Sequence, residues 1–200
     1  MAKGWQQIMA ALIAATVSVA GCEMVQSAPR ERHEPARAAT AAPHPASGGG
    51  AAALQLGRVE ARPGEKVAVN ATLQTGGRDI AGTQNDIEFD PHQVGIAARS
   101  DGTPDCMPNR RIGKDATAFS FLPQGCRAAA GQCTSVRALV LSVTNVKPIP
   151  NDSVLYTCNV AVAPGTAPGG SRLHVSRVAF STPDGKAIDG TATDGVVTVR

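Results

Sequence analysis

Aromatic residues are scarce in this chain, whose 200 residues include one Trp, one Tyr and four Phe. The sequence also lacks a Cys-x-x-Cys pair, a nucleophile elbow, a Gly-rich phosphate loop and a basic cluster. These absences count against a zinc site, a serine hydrolase, a nucleotide-binding enzyme and a protein that binds nucleic acid. The histidines are scattered, at positions 33, 44, 92 and 174. We therefore expect no metal, no cofactor and no catalysis.

The chain starts with a pattern typical of a secretory signal peptide. Lys3 precedes an uncharged run, 8–19, which is shorter than the roughly 20 residues that span a bilayer. The small residues Val19-Ala20-Gly21 then stand directly before Cys22. This arrangement resembles the lipobox of bacterial lipoproteins, which implies cleavage after residue 21 and acylation of Cys22. The alternative is ordinary secretion, with Cys22 left as an odd thiol.

Two segments follow the predicted signal peptide, 1–21. Residues 22–53 comprise Cys22 and a stretch rich in Ala, Pro and Gly with no helical or strand period, so we expect a flexible linker. Residues 54–200 are long enough for one domain with its own core. The resulting hypothesis is an extracytoplasmic domain tethered to the bacterial cell envelope by lipid alone. The sequence does not distinguish the inner from the outer membrane.

Residues 54–200 have the pattern of an all-β domain. Short alternating or β-branched segments recur between turn signals such as Pro63-Gly64 and Asp184-Gly185, and no apolar pattern keeps a helical period for three turns. About nine strands are expected, which is typical of a sandwich or a barrel. The predicted strands are 54–58, 66–73, 83–89, 94–98, 116–121, 136–145, 154–163, 172–180 and 195–199.

Several short motifs follow one another in the order found in cohesin domains. They are Pro63-Gly64-Glu65, Phe89-Asp90-Pro91, Ala163-Pro164-Gly165-Thr166 and a final Gly-x-Val-x-Val strand at 195–199. Over 54–200 the chain therefore resembles a cohesin domain. The implied fold is a nine-stranded jelly-roll β-sandwich, which is related to several carbohydrate-binding modules. The chain departs from the family in its four later cysteines and at Asn85, where cohesins typically carry Phe.

The resemblance implies a non-catalytic module that binds another protein. In cohesins, an exposed sheet built from the third, fifth, sixth and eighth strands receives the helices of a dockerin, a module that carries calcium itself. The expected partner is thus a dockerin-like domain, and the expected context is polysaccharide degradation. Two alternatives remain open: direct binding of polysaccharide, which the scarcity of aromatic residues disfavours, and a purely structural role as an envelope lipoprotein.

The same resemblance assigns residues to the binding sheet. We expect the carboxylates of Asp86 and Glu88 to be exposed there, so that reversing their charge weakens binding and leaves the melting temperature nearly unchanged. Asn85, on the opposite side of that strand, is expected to face inward and to bond a neighbouring loop. A β-bulge is expected near Ser176, because the apolar phase of its strand changes there. The expected partner-binding residues are Gln84, Asp86, Glu88, Ala138, Val140 and Ser142, with Ala118, Ser120 and part of 174–177 beside them.

The cysteine count is even once Cys22 is assigned to the lipid. The remaining four, in an exported chain, predict two disulfides, and three pairings are open from the sequence alone. The cohesin resemblance implies Cys126–Cys133, within the connection between the fifth and sixth strands. It also implies Cys106–Cys158, between neighbouring strands of the opposite sheet.

Overall fold

Two facing β-sheets make up residues 50–200, the part of the chain that this computed structural model describes. Cys22 and the predicted signal peptide therefore lie outside the described residues. The strands are β1 Ala52–Leu56, β2 Arg58–Ala61, β3 Lys66–Gln74, β4 Gly82–Glu88, β5 Val94–Ile96, β6 Cys106–Pro108, β7 Ala118–Leu122, β8 Ser135–Val140, β9 Ser153–Val162, β10 Gly169–Ser181, β11 Ala187–Ile188, β12 Gly190–Thr193 and β13 Gly195–Val199. Two single-turn 3₁₀ helices, Arg110–Ile112 and Ala128–Ala130, interrupt the connections.

The predicted all-β sandwich is confirmed. Each of the nine predicted strands has a counterpart, and the structure adds the short strands β2, β6, β11 and β12. One sheet has the order β12-β1-β3-β9-β5, with β6 pairing beside β5 on β9. The other has the order β2-β13-β10-β4-β8-β7, with β11 pairing on β10. No helix in the described part of the chain is long and apolar enough to cross a membrane.

Two of the passages from one sheet to the other are direct, without an intervening loop, and lie close to each other in space. The segment predicted as one strand, 54–58, divides at Gly57 into β1 in one sheet and β2 in the other. The C-terminal segment divides in the same way at Asp194, and β12 and β13 pair in parallel with β1 and β2. The crossings pack tightly, because a Cβ added at Gly195 would lie 2.9 Å from the Cβ of Leu56. A side chain at position 195 would therefore push the two crossings apart.

The core lies between the sheets and consists of the inward residues of alternating strands. Because successive strand side chains point to opposite faces, the buried residues of β3, β8 and β9 largely alternate along each strand, as do Leu173 and Val175 of β10. Full burial of each aliphatic or aromatic side chain stabilises the fold by about 1.5–3 kcal/mol. The largest fully buried side chains include Leu54, Leu73, Ile80, Ile87, Leu155, Tyr156, Leu173 and Phe180.

One polar pair spans this core. Asn85 of β4 is 1% exposed, and its Oδ1 accepts a 2.9 Å hydrogen bond from the Tyr156 hydroxyl on β9 of the facing sheet. Asn85 therefore faces inward as predicted, but the predicted loop-backbone partner is wrong. Burial raises the pKa of Tyr156, so the hydroxyl remains a donor. Phe119 packs edge-on against the Tyr156 ring with their centroids 5.2 Å apart.

Two disulfides cross-link the domain in the pairing that the resemblance implied. Cys106 and Cys158 are direct partners in the β6–β9 ladder and are buried, and their bond closes a separation of 52 residues. Cys126 and Cys133 close a separation of 7 residues in the β7–β8 connection. In the chain-entropy model the longer loop gives about 4 kcal/mol of stability and the shorter about 2 kcal/mol. The Cys106–Cys158 bond is therefore the larger contribution.

Candidate binding face

Strands β10, β4, β8 and β7 lie side by side, and their outward residues form one continuous surface. The register sets three cross-strand rows on it: Ala179–Gln84–Leu139, Ser176–Asp86–Arg137 and His174–Glu88–Ser135. Strand β7 extends the three rows with Ala118, Ser120 and Leu122. We call this surface the four-strand face. Its outward residues are Gln84, Asp86, Glu88, Ala118, Ser120, Leu122, Ser135, Arg137, Leu139, His174, Ser176, Arg177 and Ala179.

A bidentate ion pair occupies the middle row of this face. The Arg137 guanidinium donates from Nε to Asp86 Oδ1 at 2.7 Å and from Nη2 to Oδ2 at 2.8 Å. The pair's hydrogen bonds and charge raise the pKa of Arg137, so it stays fully charged. Asp86 points outward, as predicted, yet its side chain is 4% exposed against 38% for Arg137. The prediction of an exposed carboxylate at position 86 is therefore wrong, because Arg137 lies over it.

Strand β8 runs in the opposite phase to the predicted one. Ala138 and Val140 have no exposed surface and pack inward against the core, so their predicted place on the binding surface is wrong. The outward residues of β8 are Ser135, Arg137 and Leu139, which pair with Glu88, Asp86 and Gln84. Strand β8 has apolar residues in both phases, and alternation alone therefore did not select the inward set.

Ser142 lies beyond the end of β8 and outside the four-strand face. Its Oγ accepts hydrogen bonds from the backbone N–H of Thr144 at 3.2 Å and of Asn145 at 3.0 Å. The same segment is anchored by Lys114, whose buried ammonium donates to the carbonyls of Asn145 and Lys147 at 2.8 Å each. These contacts give Ser142 a role in shaping a turn.

Glu88 and Gln84 do lie on the four-strand face. Glu88 is exposed, and its Oε1 accepts a 2.5 Å hydrogen bond from Ser176 Oγ on β10. Gln84 is half-buried between its two row partners. Asp90, beyond the end of β4, caps a turn by accepting from the backbone N–H of His92 at 2.9 Å. Within residues 50–200, no three His, Cys, Asp or Glu side chains are grouped to hold a metal ion.

A second polar cluster borders the face at β10. Asp194, at the chain crossing, accepts from the backbone N–H of Val175 at 2.8 Å and pairs with the Arg172 guanidinium. Its Oδ1 also lies 3.0 Å from His174 Nδ1. Burial pushes the pKa of Asp194 upward, but these hydrogen bonds outweigh it and the pKa is lowered. Asp194 thereby ties the β12–β13 crossing to the edge of the four-strand face.

A β-bulge brings a second arginine over Asp86. The register of β10 on β4 shifts between Ser176 and Ala179, which is the bulge that the sequence predicted. Arg177 lies in the bulge with a φ of 50°, in the left-handed region that residues other than glycine rarely adopt. Its Nε is 3.6 Å from Asp86 Oδ2, and its side chain is 73% exposed. The bulge and a contribution from part of 174–177 were predicted from the sequence, whereas Arg137 was not predicted to lie on the face.

A shallow apolar hollow adjoins the ion pair along the strands. It has a volume of about 230 Å³ and lies at the row formed by Ala179, Gln84 and Leu139. Its floor and walls are mainly apolar, so it suits a small aliphatic side chain. The lining residues are Gly82, Thr83, Gln84, Leu139, Leu141, Ala179, Phe180, Ser181, Gly185 and Ala187.

The fold is that of cohesin domains. A type I cohesin from Clostridium thermocellum, solved in complex with a dockerin, aligns with a TM-score of 0.60 and 18% identity over 76% of this chain and 100% of that one. A second type I cohesin–dockerin complex from the same organism aligns with a TM-score of 0.59 and 15% identity, covering 78% and 99%. A non-cellulosomal cohesin from the archaeon Archaeoglobus fulgidus aligns with a TM-score of 0.55 and 12% identity, covering 76% and 92%. No protein-family model and no curated protein matches the sequence.

Asp86→Ala and Glu88→Ala should differ in their effects on stability. Removing Asp86 breaks two charge-assisted hydrogen bonds across β4 and β8, so we expect a loss of about 1–3 kcal/mol in the free energy of unfolding. Removing the exposed Glu88 should cost less than about 1 kcal/mol. Urea denaturation followed by circular dichroism measures both. Equal, small losses would contradict the burial of the Asp86 carboxylate.

Proposed function

We propose that this protein is a non-catalytic recognition module that binds a dockerin-like helical module through its four-strand face. The observation that carries the proposal is the position of this face: it is built from the third, fifth, sixth and eighth predicted strands of a cohesin fold. Two of the three similar structures described above are cohesin–dockerin complexes. The face combines an apolar hollow with exposed charge, which is the composition of a recognition surface.

The burial of the aromatic residues supports protein recognition over direct carbohydrate binding. Exposed aromatic rings commonly stack on sugar faces, whereas no aromatic side chain within residues 50–200 is exposed. Phe89, Tyr156 and Phe180 are buried, and Phe119 and Phe121 are half-buried on the inward side of β7. We place the proposed partner on a polysaccharide-degrading enzyme, as the family resemblance implies.

Binding to a panel of dockerin modules tests the recognition function. The full chain, immobilised on a sensor, should bind at least one module, and chelation of calcium should abolish binding because the partner carries the ion. Ala179→Trp fills the exposed surface beside the hollow, so it should weaken that binding about tenfold or more. The matched control is Ala68→Trp, since Ala68 is exposed on β3 of the other sheet. Equal weakening by both variants, or no binding by any module, would refute the proposal.

We also propose that Cys22 is acylated and that the lipid holds the module at the extracytoplasmic side of the cell envelope. Support comes from the small residues before Cys22 and from the even number of cysteines that remain for the two disulfides. Two or more acyl chains give stable anchoring where one does not.

Metabolic labelling with a fatty-acid analogue tests the anchor. The wild-type chain should incorporate the label and sediment with membranes, whereas Cys22→Ser should do neither. Cys22→Ser leaves the four disulfide cysteines in place, so folding is checked in the same sample by its non-reduced gel mobility. Label retained in the serine variant would contradict acylation at this position.

A further inference from the structure

The exposed charge on and beside the four-strand face is mainly cationic. The side chains of Arg177, Arg172 and Arg137 are 73%, 66% and 38% exposed, whereas those of Asp86 and Asp194 are 4% and 22% exposed. Glu88 is the exposed carboxylate of the face, and Ser176 hydrogen-bonds it at one edge. A partner approaching the middle row therefore meets guanidinium groups first.

Arg137 and Arg177 retain donors for a partner. A guanidinium has five N–H donors, and Arg137 directs its Nε and one Nη2 donor to Asp86. Arg177 lies 3.6 Å from the same carboxylate, and most of its side chain is in solvent. The single buried carboxylate thus positions two cations without using all of their hydrogen-bonding capacity. Carboxylates form charge-assisted, bidentate hydrogen bonds with such groups.

The backbone at Arg177 supports a role beyond packing. A φ of 50° at a residue other than glycine is strained, and glycine would adopt it without a steric cost. The bulge directs the side chain of Arg177 to the same carboxylate that Arg137 covers. Arg177 is exposed and occupies a backbone conformation that favours glycine. An arginine retained there is consistent with a side chain that is needed for binding.

The hollow lies one step along the strands from these cations. Gln84 and Asp86 are two residues apart on β4, which places their rows roughly 7 Å apart. Residues four apart on an α-helix are separated by about 6 Å along its axis and lie on the same face. One helix can therefore place a small aliphatic side chain in the hollow and a carboxylate at Arg137 and Arg177.

We propose that the four-strand face selects an acidic partner helix, on which an Asp or Glu lies one turn from an Ala, Val or Leu. The carboxylate pairs with Arg137 and Arg177, and the aliphatic side chain enters the hollow beside Ala179 and Leu139. This inference rests on the proposed recognition of a dockerin-like module and specifies the chemistry of that partner. It also predicts that association slows as salt concentration rises.

Selection from a displayed library tests this chemistry. Two-helix dockerin modules with randomised outward helix positions are displayed on yeast and sorted against the full chain. Selected modules should be enriched in an acidic residue one helical turn from a small aliphatic residue. Enrichment of basic or uncharged helices would overturn the inference while leaving the recognition function intact. The recognition function itself would be contradicted if no module were selected, or if every selected module bound the Ala179→Trp variant as well as the wild type.

Variants of Arg177 separate binding from stability. Arg177→Gly should weaken a selected module about tenfold without lowering the melting temperature, because glycine suits the left-handed backbone. Arg177→Glu should weaken binding of the selected module further. A twin module in which Lys replaces the acidic residue should bind Arg177→Glu better than it binds the wild type. Arg78→Gly and Arg78→Glu, at an exposed turn residue, should leave both affinities within about twofold. Unchanged binding in both Arg177 variants would overturn the proposal.

Discussion

The ion pair between Asp86 and Arg137 joins the two central strands of the four-strand face, and the chemistry of that face depends on it. The carboxylate is nearly fully buried although it points away from the core, because one arginine lies over it and a second, Arg177, approaches from the β10 bulge. A buried carboxylate needs such partners, since its desolvation is otherwise costly. The consequence is a surface on which the negative charge is covered and the positive charge meets solvent.

This ion pair lies on a sheet that is joined to the rest of the domain through its core. The core beneath the face is tied to the facing sheet by the Asn85–Tyr156 hydrogen bond, and β9 of that sheet is tied to β6 by the Cys106–Cys158 disulfide. The strands that carry the face are therefore held by packing and hydrogen bonding, and the Cys126–Cys133 disulfide cross-links the connection between β7 and β8. A rigid sheet with a few exposed cations and one hollow fits a preformed binding site, which loses little conformational entropy on association.

Much of the fold follows from local features of the sequence, because β-branched segments and turn dipeptides each act over a few residues. The bulge near Ser176 was predictable for the same reason, since the apolar phase of β10 changes there. The phase of β8 was not, because it has apolar residues on both sides and its pairing with β4 decides which side is buried. The burial of the Asp86 carboxylate by Arg137 and Arg177 depends on the register of β8 and on the β10 bulge together. No local sequence pattern therefore indicates that burial.

The hydrogen–deuterium exchange footprint of the complex with a bound dockerin module tests the location of the binding face most directly. Binding should slow exchange in 82–88, 135–141 and 172–181, while β1 and β3 of the other sheet, at 52–56 and 66–74, should keep their rates. Protection confined to that other sheet, or to the connection closed by Cys126–Cys133, would contradict the assignment of the four-strand face.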